Sequence, residues 1–419
     1  MVGAGVIGLS AAYHVRRDNP DARVVVIDKN AACAQGNTAR SAALVRNTFT
    51  SAANLALTNS SIDYYEHLVK ERRREVGLRL YGYLWLMDEA GRKANGTAIE
   101  QMREHGVEVE VYEEDELRKI PQMHTRFEGD EEAQMVGLKD IVSGLFGAKC
   151  GQIEPDLLTQ AYEADFLAHG GKCVYNVNAM ELLLEPEGGP MGIPGEPYPW
   201  QSPRIAGART DKGTIKAAKT LVATGAWVHQ LMDKAGIDVN TAPRKRQLFT
   251  FKNAEVTELI RYPFAGKKQL PVLIFPKNGI YLKPDTSEGT AWVGCSDDIG
   301  RSIEFEEDPQ AEESFWEMGV HQVLRKYLPQ FDGLKPHQSW AGHYIYHTAD
   351  RTPVVFEEHD CIVVSGMSGS GIMKADALGR IAAALFAGKK KADLYGGRPF
   401  DVEQIGIKRR RVEYERFVI

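Results

Sequence analysis

The sequence predicts an α/β fold in which a helix-covered parallel sheet is interwoven with a second, mostly antiparallel sheet. Three observations carry this reading. Gly3, Gly5 and Gly8 stand in a G-x-G-x-x-G spacing, followed by a helical stretch and a strand that ends in an acid. Apolar runs of the buried parallel-strand type recur at 220–223 and 361–364. Between them, 243–340 carries several short strand-like runs of the antiparallel kind.

The elements follow in order. Gly3 permits a tight turn out of a short first strand, Gly5 lets the backbone approach a pyrophosphate, and Gly8 lets the next helix pack closely on the sheet. That helix begins near Val6 and runs through Ile7, Ala11, Ala12 and Val15, its positive end aimed at phosphates. Val24-Val25-Val26-Ile27 is the second strand. It ends in Asp28, 20 residues after Gly8, where a carboxylate accepts a hydrogen bond from a ribose hydroxyl; Lys29 follows. Leu55, Leu57, Ile62, Tyr65 and Leu68 predict a helix over 53–75, with the charged run 70–75 as its solvated face. A strand over 78–86 begins a separate sheet. Helices over 97–105 and 113–119 flank a strand at 107–111, with Thr97 as cap and Gly106 as stop. Asp156 is expected to cap a helix over 157–168, and Gly170-Gly171 to stop it. A strand at 173–177, a Pro- and Gly-rich hairpin excursion at 185–204 and strands at 214–218 and 220–227 come next. Strands at 248–251, 272–275 and 292–294, a helix over 313–327, a strand at 361–366 and a helix over 375–385 complete the chain. Residues 1–50, 145–228 and 341–400 are thus assigned to one discontinuous dinucleotide-binding domain. Residues 51–144 and 229–340 form a substrate domain, and 401–419 a tail.

Composition narrows the partners. With 51 Lys and Arg against 57 Asp and Glu the net charge is −6, so nucleic acid is not an expected partner. The five cysteines, Cys33, Cys150, Cys173, Cys295 and Cys361, form no C-x-x-C pair, so neither a metal site nor a disulfide framework is expected. Reduced thiols, the lack of a bilayer-length apolar run and a nucleotide motif at the very start point to a cytoplasmic protein. The basic run 408–411, with Phe417-Val418-Ile419 beyond it, reads as a solvated tail. Docking on a partner subunit, a second copy or an anionic membrane surface is the alternative.

Further motifs identify a family. They are Gly36-Asn37-Thr38-Ala39-Arg40-Ser41-Ala42, Gly151-Gln152-Ile153-Glu154-Pro155, Val222-Ala223-Thr224-Gly225-Ala226-Trp227, Trp340-Ala341-Gly342-His343-Tyr344 and Ser365-Gly366-Met367-Ser368-Gly369-Ser370-Gly371-Ile372-Met373. With the first glycines and Val26-Ile27-Asp28, they resemble the D-amino-acid oxidase/sarcosine oxidase family of flavoenzymes along nearly the whole chain. The resemblance implies a glutathione-reductase-type FAD-binding Rossmann fold and FAD as the dinucleotide. It places Arg40, Ser41 and Ala42 at the pyrophosphate or inner flavin-side chain, and Val177 at the adenine. Thr224, Gly225 and Trp227 fall at the nucleotide crevice. Gly342 and the stretch Gly369, Ser370, Gly371, Ile372 and Met373 fall at the flavin, where backbone N–H groups meet the N1–C2=O edge. No cysteine stands beside His343, where some relatives attach the flavin, so FAD is expected to be non-covalent.

The same resemblance implies site roles. Arg46 falls where sarcosine oxidases hold the substrate carboxylate, and a guanidinium suits bidentate carboxylate binding; a surface ion pair is the plainer reading. The family's second carboxylate ligand is often a lysine, and here Met373 takes that place with Lys374 beside it. His343 is as readily structural as catalytic. Tyr344 and Tyr281 either line an amine pocket or pack. Trp292 stands where sarcosine-type oxidases place an oxygen-promoting lysine, which implies a dehydrogenase feeding a quinone, dye or protein; Lys283 is the substitute source of charge. The expected activity is oxidation of a small carboxylate-bearing amine, proline- or sarcosine-like, by hydride transfer to flavin N5. A 2-hydroxy-acid or glycerol-3-phosphate dehydrogenase, and a flavin-binding protein of the mitochondrial complex I assembly kind, are the alternatives.

Overall fold

The computed structural model describes residues 1–276, 279–296, 304–415 and 417. Met1–Gly3 is the central strand of the first sheet, short as it is. Val2 bridges Ile27 on one side and Val222 on the other, both in parallel, and the N–H groups of Val2 and Gly3 donate to Leu221 O and Ile27 O at 2.8 and 2.9 Å. Three residues therefore join two half-sheets. On one side lie Val25–Ile27 and Lys172–Val174; on the other lie Thr220–Val222, Cys361–Ser365 and the antiparallel edge Val354–Glu358. Helices Val6–Asp18 and Ala375–Phe386 pack together on this sheet, where Gly379 leaves room for Ser10. Pro155–Ala168 lies against the first of them.

The second sheet has eight strands. In spatial order they are Gln338–His347, Thr241–Phe251, Thr290–Gly294, Tyr281–Asp285, Val272–Ile274, Tyr83–Met87, Ser143–Gly147 and Val109–Glu113. All neighbours are antiparallel except Val272–Ile274 beside Tyr83–Met87. Its outer face buries an aromatic core around Phe249, Phe251, Trp316, Tyr327 and Phe331. The sequence boundaries at 145 and 341 fall inside two of these strands. The excursion at 185–204 is the loop of an antiparallel hairpin, Ala179–Pro186 with Pro203–Thr210, flanked by Gly213–Lys216.

Several local expectations are corrected. Thr97 lies inside the helix Glu89–Glu104, whose cap is Asp88, accepting from Gly91 N at 2.6 Å; Gly106, at φ 75°, does stop it. Glu154, not Asp156, is the N-cap of Pro155–Ala168, because Pro155 takes the first helical position, where its missing N–H costs nothing. The helix Ala52–Lys70 ends at the first residue of the charged run. Arg72 and Arg74 then turn back onto buried Asp165, at 2.8 and 2.5 Å. Residues 315–320 of the helix expected over 313–327 wind in a wider π turn. The tail is not simply solvated. Lys408, Arg409 and Arg411 are exposed, but Arg410 pairs with Asp350, and Glu415 and Phe417 are buried. Val418 and Ile419 lie outside the described residues.

Candidate functional site

A long groove runs along the edge where the two sheets meet, opening about 1640 Å³ including the part continuous with solvent. Its outer end is built by the first turn. Gly3 sits at φ 106°, where an added Cβ would lie 2.5 Å from Ala223 O, and a Cβ on Gly8 would lie 2.0 Å from Gly3 O. Only hydrogen fits either place, so the loop closes tightly and delivers the start of helix Val6–Asp18 to the groove. That helix has no capping side chain and no acid in its first turn, which leaves its positive end for an anion. Gly5, Val6 and Ile7 line the groove; Gly8 lies behind them. Asp28 faces the same end, accepting from Ala4 N at 2.7 Å and Asn30 N at 2.9 Å, with Val177 beside it.

Arg40, Ser41 and Ala42 line the middle on one side; Thr224, Gly225 and Trp227 line it on the other. A short acidic segment crosses here. Glu307 contacts the Lys29 ammonium and accepts from Trp227 Nε1 at 2.7 Å, and Asp308 pairs with Arg40 at 2.5 Å. Phe305 stacks on His343, whose Nε2 lies 2.9 Å from Glu306 O. His343 thus lines the middle of the groove and tethers this strap, and burial lowers its pKa.

The groove fits a dinucleotide on its own evidence. Thr224 Oγ1 and Ser365 Oγ are buried on its wall and have no partner among the described residues, as expected where a polar ligand completes them. Gly342, Gly369, Gly371 and Ile372 line the inner end, where the 3₁₀ turn Ile372–Lys374 opens helix Ala375–Phe386. None of the five cysteines lines the groove.

A smaller cavity adjoins that inner end. Arg46, Tyr83, Tyr281, Tyr344, Ser370 and Met373 line it. The Arg46 guanidinium is buried, 3.9 Å from the centre of the Phe49 ring and 5.3 Å from Trp85. It donates to Thr48 O, and through Nη2 to Phe417 O at 2.5 Å. The Tyr83 hydroxyl is fully buried and has no partner among the described residues. Burial raises Tyr281 well above the usual tyrosine range and Tyr344 to about 12, so both keep their protons as donors. Lys374 does not reach either cavity wall. It is wholly buried behind Met373, donating to Asn54 Oδ1 and Ser370 Oγ at 2.6 Å each, and burial pulls its pKa to about 7.

Four participants escaped sequence reading, and a fifth was named only in passing. Tyr83 sits in an ordinary strand pattern. Arg246, donating to the Tyr346 hydroxyl at 3.0 Å, lines the inner groove from strand Thr241–Phe251. Glu415 and Phe417 come from a stretch whose charge suggested solvent. Lys283, named only as a substitute, is buried beneath Trp292 and donates to Ala42 O at 3.0 Å. Among the described residues no cluster of acids, histidines and cysteines could hold a metal, and no helix is long and apolar enough to cross a membrane.

Comparison with known proteins points to a flavin as the dinucleotide. The family model described as DAO, FAD dependent oxidoreductase, matches residues 1–385. FAD-dependent oxidoreductase domain-containing protein 1 of Xenopus laevis is 25% identical over 420 residues, covering 92% of this chain and 78% of that protein. Among solved structures, L-proline dehydrogenase from P. horikoshii aligns with a TM-score of 0.72 at 23% identity, over 94% of each chain. Glycine oxidase from Geobacillus kaustophilus aligns with a TM-score of 0.71 at 18% identity, over 97% of each.

Proposed function

From the premise that this chain belongs to the DAO family of FAD dependent oxidoreductases, we propose that it oxidises a small amino acid or secondary amine bearing a carboxylate. The observation that carries this is the small cavity at the inner end of the groove, where the buried Arg46 guanidinium meets the unpartnered Tyr83 hydroxyl. A buried cation beside an open donor suits an organic acid of a few carbons. The folds aligned above include proteins named for proline and for glycine, which supports the same substrate class.

The chain's own residues divide the work. Helix Val6–Asp18 and the Gly3–Gly8 turn hold the phosphates, and Asp28 takes the ribose. Gly369, Gly371 and Ile372 meet the flavin end. Bound FAD supplies a two-electron acceptor for the substrate C–H. Arg46 grips the carboxylate, and Tyr83, Tyr281 and Tyr344 fix the orientation of the amine carbon. No protein nucleophile is required. Water is kept from the site by Met373 and the tyrosine rings.

Anaerobic bleaching of the bound flavin tests this reading. Glycine, sarcosine, proline and their N-methylated relatives are compared with 2-hydroxy acids and glycerol 3-phosphate. Bleaching by amino acids alone supports it. Bleaching only by hydroxy acids, or by nothing, overturns it in favour of a hydroxy-acid dehydrogenase or a flavin-binding assembly protein. A second reading concerns the acceptor. The sequence favoured a quinone, dye or protein, but the buried Lys283 ammonium on Ala42 O, at the groove wall, favours oxygen.

A further inference from the structure

The loop 46–51 carries Arg46 and leads into helix Ala52–Lys70. Little within the loop holds it: Ser41 to Thr50 contains only the two-residue strand Leu44–Val45. Asn47 is tied to Asn59 and Cys150, and much of the remaining support comes from Glu415 and Phe417. The Glu415 carboxylate, 1% exposed, accepts from Thr50 N at 3.0 Å, Thr50 Oγ1 at 2.9 Å, Ser51 N at 3.1 Å and Asn54 Nδ2 at 3.3 Å. It therefore sits at the positive end of that helix, in addition to the helix's own Ser51 cap. It is also the acid that faces both buried cations: Arg46 and Lys374 each feel its charge, and Lys374 bonds the same Asn54 side chain. Two residues on, Phe417 O takes Arg46 Nη2, and the Phe417 ring packs edge-on against Trp85 at 5.0 Å, the indole that also contacts the guanidinium. Arg410 anchors the segment upstream, donating to both carboxylate oxygens of Asp350 at 2.6 Å.

We infer that Glu415 and the Phe417 carbonyl are positioning groups for the Arg46 clamp, so that the segment near the end of the chain is a working part of the substrate site. A guanidinium held at Nη1 and Nη2 by two backbone carbonyls, Thr48 O and Phe417 O, is fixed in orientation and keeps three further N–H groups for a ligand. Without Phe417 O and Glu415, the loop loses one acceptor on Arg46 and four bonds on its flank, and the guanidinium is free to swing. This inference rests on the amine-acid reading above, because it needs Arg46 to bind a carboxylate.

The test uses the FAD-loaded protein and two probes, acetate and tetrahydrofuran-2-carboxylate, which present a carboxylate without an oxidisable amine. Their dissociation constants are read from the change in bound-flavin absorbance. Glu415→Ala, Arg46→Ala and a chain ending at Tyr414 are compared with wild type. The expected result is binding weakened roughly tenfold or more in Glu415→Ala and in the shortened chain, with flavin content unchanged. Addition of a synthetic peptide of residues 409–419 to the shortened chain then restores affinity. In turnover, KM rises for proline while kcat stays within about twofold, and KM for pyrrolidine, which lacks the carboxylate, does not move. Weakening in Arg46→Ala alone overturns the inference and leaves the amine-acid reading standing. Unchanged binding in Arg46→Ala overturns both. Loss of flavin from Glu415→Ala and from the shortened chain alike also overturns the inference, since the segment would then serve the fold and not the clamp.

Discussion

Lys283 stands opposite Trp292 on the adjacent strand, and its ammonium lies 3.9 Å from the centre of the indole. The tryptophan roofs the lysine. Burial draws Lys283 down to about 8, so the group is still largely charged at neutral pH. A cation held beside the groove wall stabilises negative charge developing on reduced oxygen. Lys283→Met is expected to slow oxygen uptake roughly 100-fold while leaving anaerobic reduction by substrate intact. Oxygen-electrode and stopped-flow traces on both proteins decide it, and equal oxygen uptake removes Lys283 from this role.

Arg46→Ala is expected to raise KM for a carboxylate-bearing substrate roughly 100-fold, the scale of losing a buried charge-paired contact. FAD content should not change, because Arg46 lines the smaller cavity and not the groove. Steady-state kinetics with a flavin-to-protein absorbance ratio checks both halves.

Lys374 gives the fold a pH dependence. Unfolded, it holds its proton up to about 10.5; folded, only up to about 7. Between those values the unfolded chain binds more protons, so stability contributed through this group rises with pH, and the cost of the buried charge is fully present below 7. Lys374→Met should therefore gain most over wild type near about pH 6 and least near about pH 9, read as the difference in urea midpoint. A difference that is flat with pH would show that Lys374 stays charged throughout.

The strap across the groove should govern cofactor escape. Replacing Glu307 by Gln and Asp308 by Asn removes its ion pairs with Lys29 and Arg40. FAD release, followed as flavin fluorescence after dilution, is expected to speed roughly tenfold. The gap between the variant and wild type should narrow at high salt, since these contacts are partly exposed.

Acid precipitation should leave the flavin in the supernatant. The groove has no cysteine on its wall. Yellow colour retained on the pellet would require a bond to another side chain, with His343 the first to examine by mass spectrometry of flavin-bearing peptides.

The dinucleotide end was legible because its demands are local. Gly3 and Gly8 must be glycine for contacts set within the same turn and the next strand, and Asp28 follows from a strand only a helix away. The small cavity was legible only in part. Arg46, Tyr281 and Tyr344 were named through the family resemblance, yet Tyr83 and Phe417 arrive from distant segments that no periodicity links. Thr97 and Asp156 misled because capping preferences are weak wherever a better start lies upstream, Asp88 nine residues before the one and Pro155 directly before the other. The run 70–75 misled for a different reason: Arg72 and Arg74 find their partner on the helix Pro155–Ala168, in Asp165.

The groove draws its walls from within residues 2–7, 28–42, 177–179, 223–231, 246–248, 281, 342–345 and 364–372. These segments lie far apart in the sequence, and one ligand in the groove would bridge them. A ligand that binds only the folded form stabilises it by mass action, so flavin supply would set how much folded chain persists. In a cell starved of riboflavin, the shortage would be seen as vanishing polypeptide and not as an accumulating colourless one.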